Sequence, residues 1–239
     1  MAEIPKNQGL NLTRYVYRLT YEKKGRAKLI SHLDLMRAMQ RAFKRAKLPI
    51  WYTQGFNPHP YIMFPLALSL GTESSIEPMD IALLSEMSFE DIRESVNAVL
   101  PEGLRIVSVA APVCEHTDIY KSDYEIRIQT DKSPEETEKL FKEFVSCDEI
   151  LIKKRVKPKK NRKEGFKDVD VKQYLELFGS SYNKSETVLE LRLATSAGND
   201  FNLNFMPVLE AFSEKCGVEI AHISAKRTKI LCKSGENFT

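Results

Sequence analysis

Cysteine is scarce, with four in 239 residues at Cys114, Cys147, Cys216 and Cys232. None forms a C-x-x-C pair or has a histidine at zinc-finger spacing, so neither a disulfide framework nor a structural metal is indicated. They are expected as small buried or incidental residues. Long apolar runs are also missing. No window approaches the ~18 uninterrupted apolar residues that a membrane span requires, and the polar opening "MAEIPKNQGLN" lacks the apolar core of a signal peptide, so a cytoplasmic protein is expected. Glycine is sparse, at 10 residues, and no glycine-rich phosphate loop, Walker lysine motif, paired-carboxylate signature or G-x-S-x-G occurs.

What is present is segregated charge. Residues 1–60 hold 12 Lys/Arg against 3 Asp/Glu, residues 61–150 hold 7 against 19, and residues 151–175 hold 10 against 3, within a net charge of only +3. Phosphate attraction depends on local potential, so two basic blocks favour a polyanion-binding face more than the overall balance does.

Hydrophobic periodicity reads as a repeat. "RYVYRLTYEKKGRAKLI" alternates at the two-residue period of a strand. A helix follows, with Ser31 as N-cap, Asp34 three residues on, and Leu33, Met36, Met39, Phe43 and Ala46 at helical spacing. "IWYTQ", "YIMFPLALSL" and "MDIALL" read as strands, Ser88 with Asp91 opens a second helix through Val99, and "LRIVSVA" closes the half. The order then recurs: strand "DYEIRIQT", a helix from Ser133 to about Val145, strands "EILIKKR" and "TVLELRLAT", helix "MPVLEAFSEKC", strand "VEIAHISA". Tyr15 to Leu19 aligns with Tyr124 to Ile128, and Gly103 to Val109 with Gly217 to Ile223, at offsets of 109 and 114 residues. The expected class is therefore α+β, two tandem ferredoxin-like (βαββαβ) sandwiches, spanning residues 1–115 and 116–239.

Three stretches carry the candidate chemistry. Away from its apolar stripe the first helix presents Arg37, Arg41, Lys44, Arg45 and Lys47, a ridge long enough to follow a phosphate backbone. The second basic cluster, a loop expected over 153–172, holds Lys153, Lys154, Arg155, Lys157, Lys159, Lys160 and Arg162. There Pro158, Asn161 and Gly165 argue against regular structure. Such a loop suits RNA, whose unpaired bases can also stack on aromatic side chains. The third stretch, "QGFNPHP", fixes His59 between Pro58 and Pro60 after Gly55 and Asn57, which reads as a functional turn. His32, in the first turn after the Ser31 cap, meets the positive end of the helix dipole, which favours a neutral ring able to act as base or metal ligand. His59 is the candidate complementary acid. Solvated basic faces, a rigid corner and hydrogen-bonded structural histidines are the plain alternatives.

"SHLD", "QGFNPHP" and "LALSLG" together closely resemble the radical SAM-linked family, bacterial proteins encoded beside, or fused behind, a radical SAM protein. The resemblance runs over essentially the whole chain and implies a radical SAM protein as partner. No C-x-x-x-C-x-x-C motif occurs, so no cofactor is expected in this chain and any iron–sulfur cluster would belong to that partner. The tandem layout is also similar to RNA-processing endonucleases of CRISPR systems, whose terminal glycine-rich loop has no counterpart in "HISAKRTKILCKSG". The leading expectation is an RNA-binding accessory protein presenting a structured RNA, such as tRNA or rRNA, to a modification enzyme. The alternatives are a metal-independent endoribonuclease using His32 and His59, and a protein-interaction adaptor without RNA.

Overall fold

A computed structural model of the chain describes residues 13–156, 165–183, 185, 187–198 and 201–238. It is a mixed α+β structure, with antiparallel ladders and, among the described residues, four α-helices. The chain divides into a unit running through His116 that also takes in Phe238, and a unit of Thr117–Asn237.

The N-terminal unit runs β1 (Tyr15–Lys23), α1 (His32–Arg45), β2 (Ile62–Met63), β3 (Thr72–Leu83), α2 (Phe89–Asn97) and β4 (Leu104–Ala110). Its strands lie in the order β4-β1-β3-β2. Both helices bury one stripe on the sheet face carrying Tyr17, Leu19, Tyr21, Met79, Ile81 and Leu83. The buried stripe of α1 is Leu35, Met39, Ala42 and Phe43. This corrects the expected one, because Leu33 is 52% exposed. Ser31 Oγ accepts from the Asp34 amide at 3.1 Å, and its hydroxyl donates to the Asp34 carboxylate at 2.7 Å. The acid is thus held by the cap's hydroxyl, where the motif suggested the cap's own amide. Gly103 (φ 84°) turns the chain into β4 where a Cβ would meet the Lys24 carbonyl oxygen at 2.6 Å, so only glycine fits.

Two expectations for this half are corrected. "IWYTQ" is not a strand: Ile50 makes one isolated bridge to Leu83, and residues 51–61 then form a projecting hairpin. "YIMFPLALSL" supplies only the two-residue β2, since Pro60 and Pro65 each remove a ladder donor on either side of it.

The C-terminal unit runs β5 (Ile119–Thr130), α3 (Pro134–Ser146), β6 (Leu151–Val156), β7 (Gly165–Asp170), β8 (Leu175–Asn183), β9 (Val188–Ser196), α4 (Met206–Cys216) and β10 (Ile220–Cys232). Four of these strands lie in the order β10-β5-β9-β8, the sequence of positions seen in the first unit. The core is aromatic, with Phe141 packing edge-on against Phe212 at 5.0 Å and Phe144 against Phe212 at 5.6 Å. The expected irregular loop over 153–172 is corrected. Its flanks pair as a hairpin, Leu151 opposite Asp170 through Val156 opposite Gly165, so that Gly165 enters a strand, while Pro158 and Asn161 lie outside the described residues. Strand β8, not β6, occupies the sheet position beside β9.

Candidate nucleic-acid interface

Helix α1 holds its cations outward because its apolar stripe is consumed by the sheet. Arg37, Arg41, Lys44 and Arg45 are all exposed, as is Lys47, which was expected on the helix but lies just past its Ala46 cap in a left-handed conformation (φ 56°). They are not equivalent. Arg37 reaches the Asp34 carboxylate at 3.4 Å, and Arg45 donates to the Val99 carbonyl at 2.7 Å. Arg41, Lys44 and Lys47 meet no carboxylate among the described residues. Three uncompensated cations around the last turns of α1 form a positive surface, which the Arg45 tether holds against the end of α2.

The hairpin of residues 51–61 begins four residues after Lys47. Its rungs are the Tyr61 amide to the Trp51 carbonyl at 2.9 Å and the Thr53 amide to the His59 carbonyl at 2.9 Å. Pro58 and Pro60 stiffen the return strand, Pro60 bridging to Tyr52, and Gly55 (φ 153°) turns the tip. His59 Nδ1 lies 3.0 Å from Thr53 Oγ1 and 3.1 Å from the Asn57 carbonyl oxygen, while the His59 amide donates to Thr53 Oγ1 at 3.2 Å. The ring is thus both exposed and a pin of its own turn. The root is braced by Arg14, whose guanidinium lies 5.3 Å from the Trp51 ring centre and 5.4 Å from that of Tyr61.

His32 lies apart from this arrangement, its exposed ring edge-on to Phe64 at 4.9 Å. No hydrogen bond or ring contact joins His32 to His59 among the described residues, so the expected acid and base are not brought together by direct contact. No group of three or more His, Cys, Asp or Glu is placed to hold a metal ion among the described residues. No described helix is long and apolar enough to cross a membrane.

The second basic cluster is split. Lys153 pairs with Glu214 at 3.2 Å, Lys154 lies over the Phe201 ring at 4.7 Å, and Arg155 is exposed on β6 opposite Phe166. Lys157, Lys159, Lys160 and Arg162 lie outside the described residues. Beside this hairpin and α4 is a cavity of about 540 Å³ lined by Glu149, Asp168, Glu210 and Glu214 with Lys153 and Lys215. Its excess of carboxylates disfavours phosphate. At the hairpin's root Asp170 accepts from the Ile150 amide at 2.9 Å and the Lys172 amide at 3.0 Å, and these bonds hold its carboxyl below the usual range.

Sequence reasoning passed over Arg14, Trp51, Tyr61 and Phe56. The available signal was "WYTQGFNPHPY" itself, which carries aromatics at both ends of a Gly- and Pro-bearing turn.

Fold and site together define a mixed α+β protein with a basic helix and an adjoining aromatic hairpin in its N-terminal unit. Residues 16–204 match the family described as uncharacterized protein conserved in bacteria (DUF2344), and the chain belongs to that family. Among solved structures, a Cbf5-Nop10-Gar1 complex is similar at a TM-score of 0.45 and 13% identity over 90% of this chain. This chain spans 48% of that one. An unknown protein from Galdieria sulphuraria is similar at a TM-score of 0.26 and 12% identity, covering 90% of this chain and 99% of that one. No curated protein matches the sequence.

Proposed function

We propose that this chain is an RNA-binding accessory protein, built of two tandem ferredoxin-like units, that presents a structured RNA such as tRNA or rRNA to a radical SAM modification enzyme in the cytoplasm. The two like strand orders, β4-β1-β3-β2 and β10-β5-β9-β8, support the fold assignment. The partner follows from the resemblance of "SHLD", "QGFNPHP" and "LALSLG". The observation that carries RNA binding is the run of Arg41 and Lys44 on α1 with Lys47 just past its end, all exposed and uncompensated among the described residues. Surface cations commonly meet a nearby carboxylate, and those that do not raise the local potential that attracts phosphates.

Fluorescence anisotropy with a labelled tRNA across a salt series tests this reading. Affinity should fall with salt, by a slope of about 0.7–0.9 per phosphate neutralised. The Arg41→Glu, Lys44→Glu double variant should weaken binding and flatten that slope while melting at the wild-type temperature. Absence of binding at low salt would overturn the proposal.

A further inference from the structure

We propose that the hairpin of residues 51–61 is a stacking prong for an unpaired RNA base, with Phe56 as its platform. The inference rests on the RNA-binding reading and extends it from phosphates to bases. Phe56 is 100% exposed at the hairpin tip, and Tyr52 on the same hairpin is 46% exposed. Leaving a whole phenylalanine in water forgoes the stabilisation its burial would bring. A floppy loop would let the ring collapse onto the surface, whereas this one is held at several levels. The Trp51 amide is fixed to the Ala82 carbonyl of β3 at 2.8 Å, the two rungs follow, and His59 closes the turn through Thr53 and Asn57. The root is locked by the edge-on Trp51–Tyr61 contact at 5.9 Å under Arg14. The ring is thus presented by a stiff support.

The charge pattern selects the occupant. Residues 51–61 contain no Asp, Glu, Lys or Arg, so nothing on the prong repels or salt-bridges a ligand. The chain entering it leaves the α1 ridge, with Lys44 and Lys47 just before its root. A neutral aromatic platform following a positive helix end matches a single strand, whose phosphates follow the cations and whose bases offer π-faces. A duplex keeps its internal bases stacked on one another and offers a free face only on its two terminal pairs.

The test compares affinity of the full chain for a short oligoadenylate and for a blunt RNA duplex of equal length, using wild type, Phe56→Ala and Phe56→Trp. Phe56→Ala should weaken single-strand binding by roughly tenfold to a hundredfold, from the usual worth of one stacked base. Duplex binding and melting temperature should stay unchanged, and Phe56→Trp should restore single-strand affinity. The emission of a 2-aminopurine in the oligonucleotide should change on binding wild type and Phe56→Trp by an amount that Phe56→Ala does not reproduce. Equal single-strand affinity in wild type and Phe56→Ala, with the Arg41→Glu, Lys44→Glu variant still defective, would overturn the prong alone and leave the RNA reading standing. Wild type that binds neither RNA would overturn the prong and the RNA reading together.

Discussion

In the N-terminal unit Arg18 of β1 grips Asp80 of β3 through two bonds at 2.7 and 2.8 Å, with both residues buried. Farther along β1, Lys23 is buried with its ammonium 3.0 Å from the Ile30 carbonyl and within electrostatic reach of the buried Glu77. The same strand order in the C-terminal unit encloses Phe141, Phe144, Phe205 and Phe212. One arrangement of strands thus carries, beside its apolar core, a buried ion pair between neighbouring strands in one case, and in the other a core built round a phenylalanine cluster. The lesson concerns kinds of sensitivity. A buried pair is weakly stabilising against a well-packed apolar replacement but costly when half of it is removed, whereas an aromatic cluster loses in proportion to the volume deleted.

The sharpest way to break this contrast is to cut both cores and then attempt repair. Asp80→Ala should cost about 3–5 kcal/mol by stranding the Arg18 guanidinium, and Phe212→Ala should cost about 3–5 kcal/mol by opening a cavity. Urea melts of Arg18→Met with Asp80→Leu should return most of the first loss, because the charge pair is replaced whole. A double variant no better than Asp80→Ala would show that the N-terminal core depends on the pair itself.

A smaller effect should be equal in the two units. Ser31 and Ser133 each accept from the amide three residues on, at 3.1 and 3.2 Å. Ser31→Ala and Ser133→Ala should therefore each cost about 1 kcal/mol in chemical denaturation. Unequal losses would mean that one cap does more than satisfy a helix end.

The smallest expected effect is one of pH. Burial pushes the Lys23 ammonium below the ordinary lysine value of 10.5, with Glu77 opposing. Between that depressed value and 10.5 the unfolded chain holds a proton that the folded chain has released, so stability from this site rises with pH through that window. Melting temperatures of wild type relative to Lys23→Met should climb accordingly as pH approaches 10.5. A flat difference would remove Lys23 from the account.

Much of this layout was legible because local chemistry announces it. Ser31, Ser88 and Ser133 mark three helix starts, and "MPVLEAFSEKC" matches α4 end to end. Strand β8 was missed because Leu175 and Leu177 begin an alternation that Gly179, Ser180 and Ser181 dilute. Trp51 and Tyr52 suggested a strand because aromatic residues favour strands, yet the prolines and Gly55 that follow turn the segment back on itself. The Arg18–Asp80 pair joins residues 62 apart, which no local pattern reveals. The basic ridge could be read from helical spacing, but its division into tethered and uncompensated cations depends on Asp34 and on the Val99 carbonyl brought in by another helix. The exposure of Phe56 likewise depends on three-dimensional placement.

The β6–β7 hairpin is stitched shut where it leaves the unit, by the Val171 amide on the Ile150 carbonyl at 2.8 Å and by the two amides on Asp170. Ile152, buried in the core, anchors its first rungs, while the residues beyond are largely exposed. Chain length in the outer hairpin is therefore decoupled from the four-stranded sheet: descendants of one ancestor can lengthen, shorten or recharge this arm without renegotiating the core, and a protein engineer can graft a new peptide there beyond the Ile152–Val169 rung on the same terms.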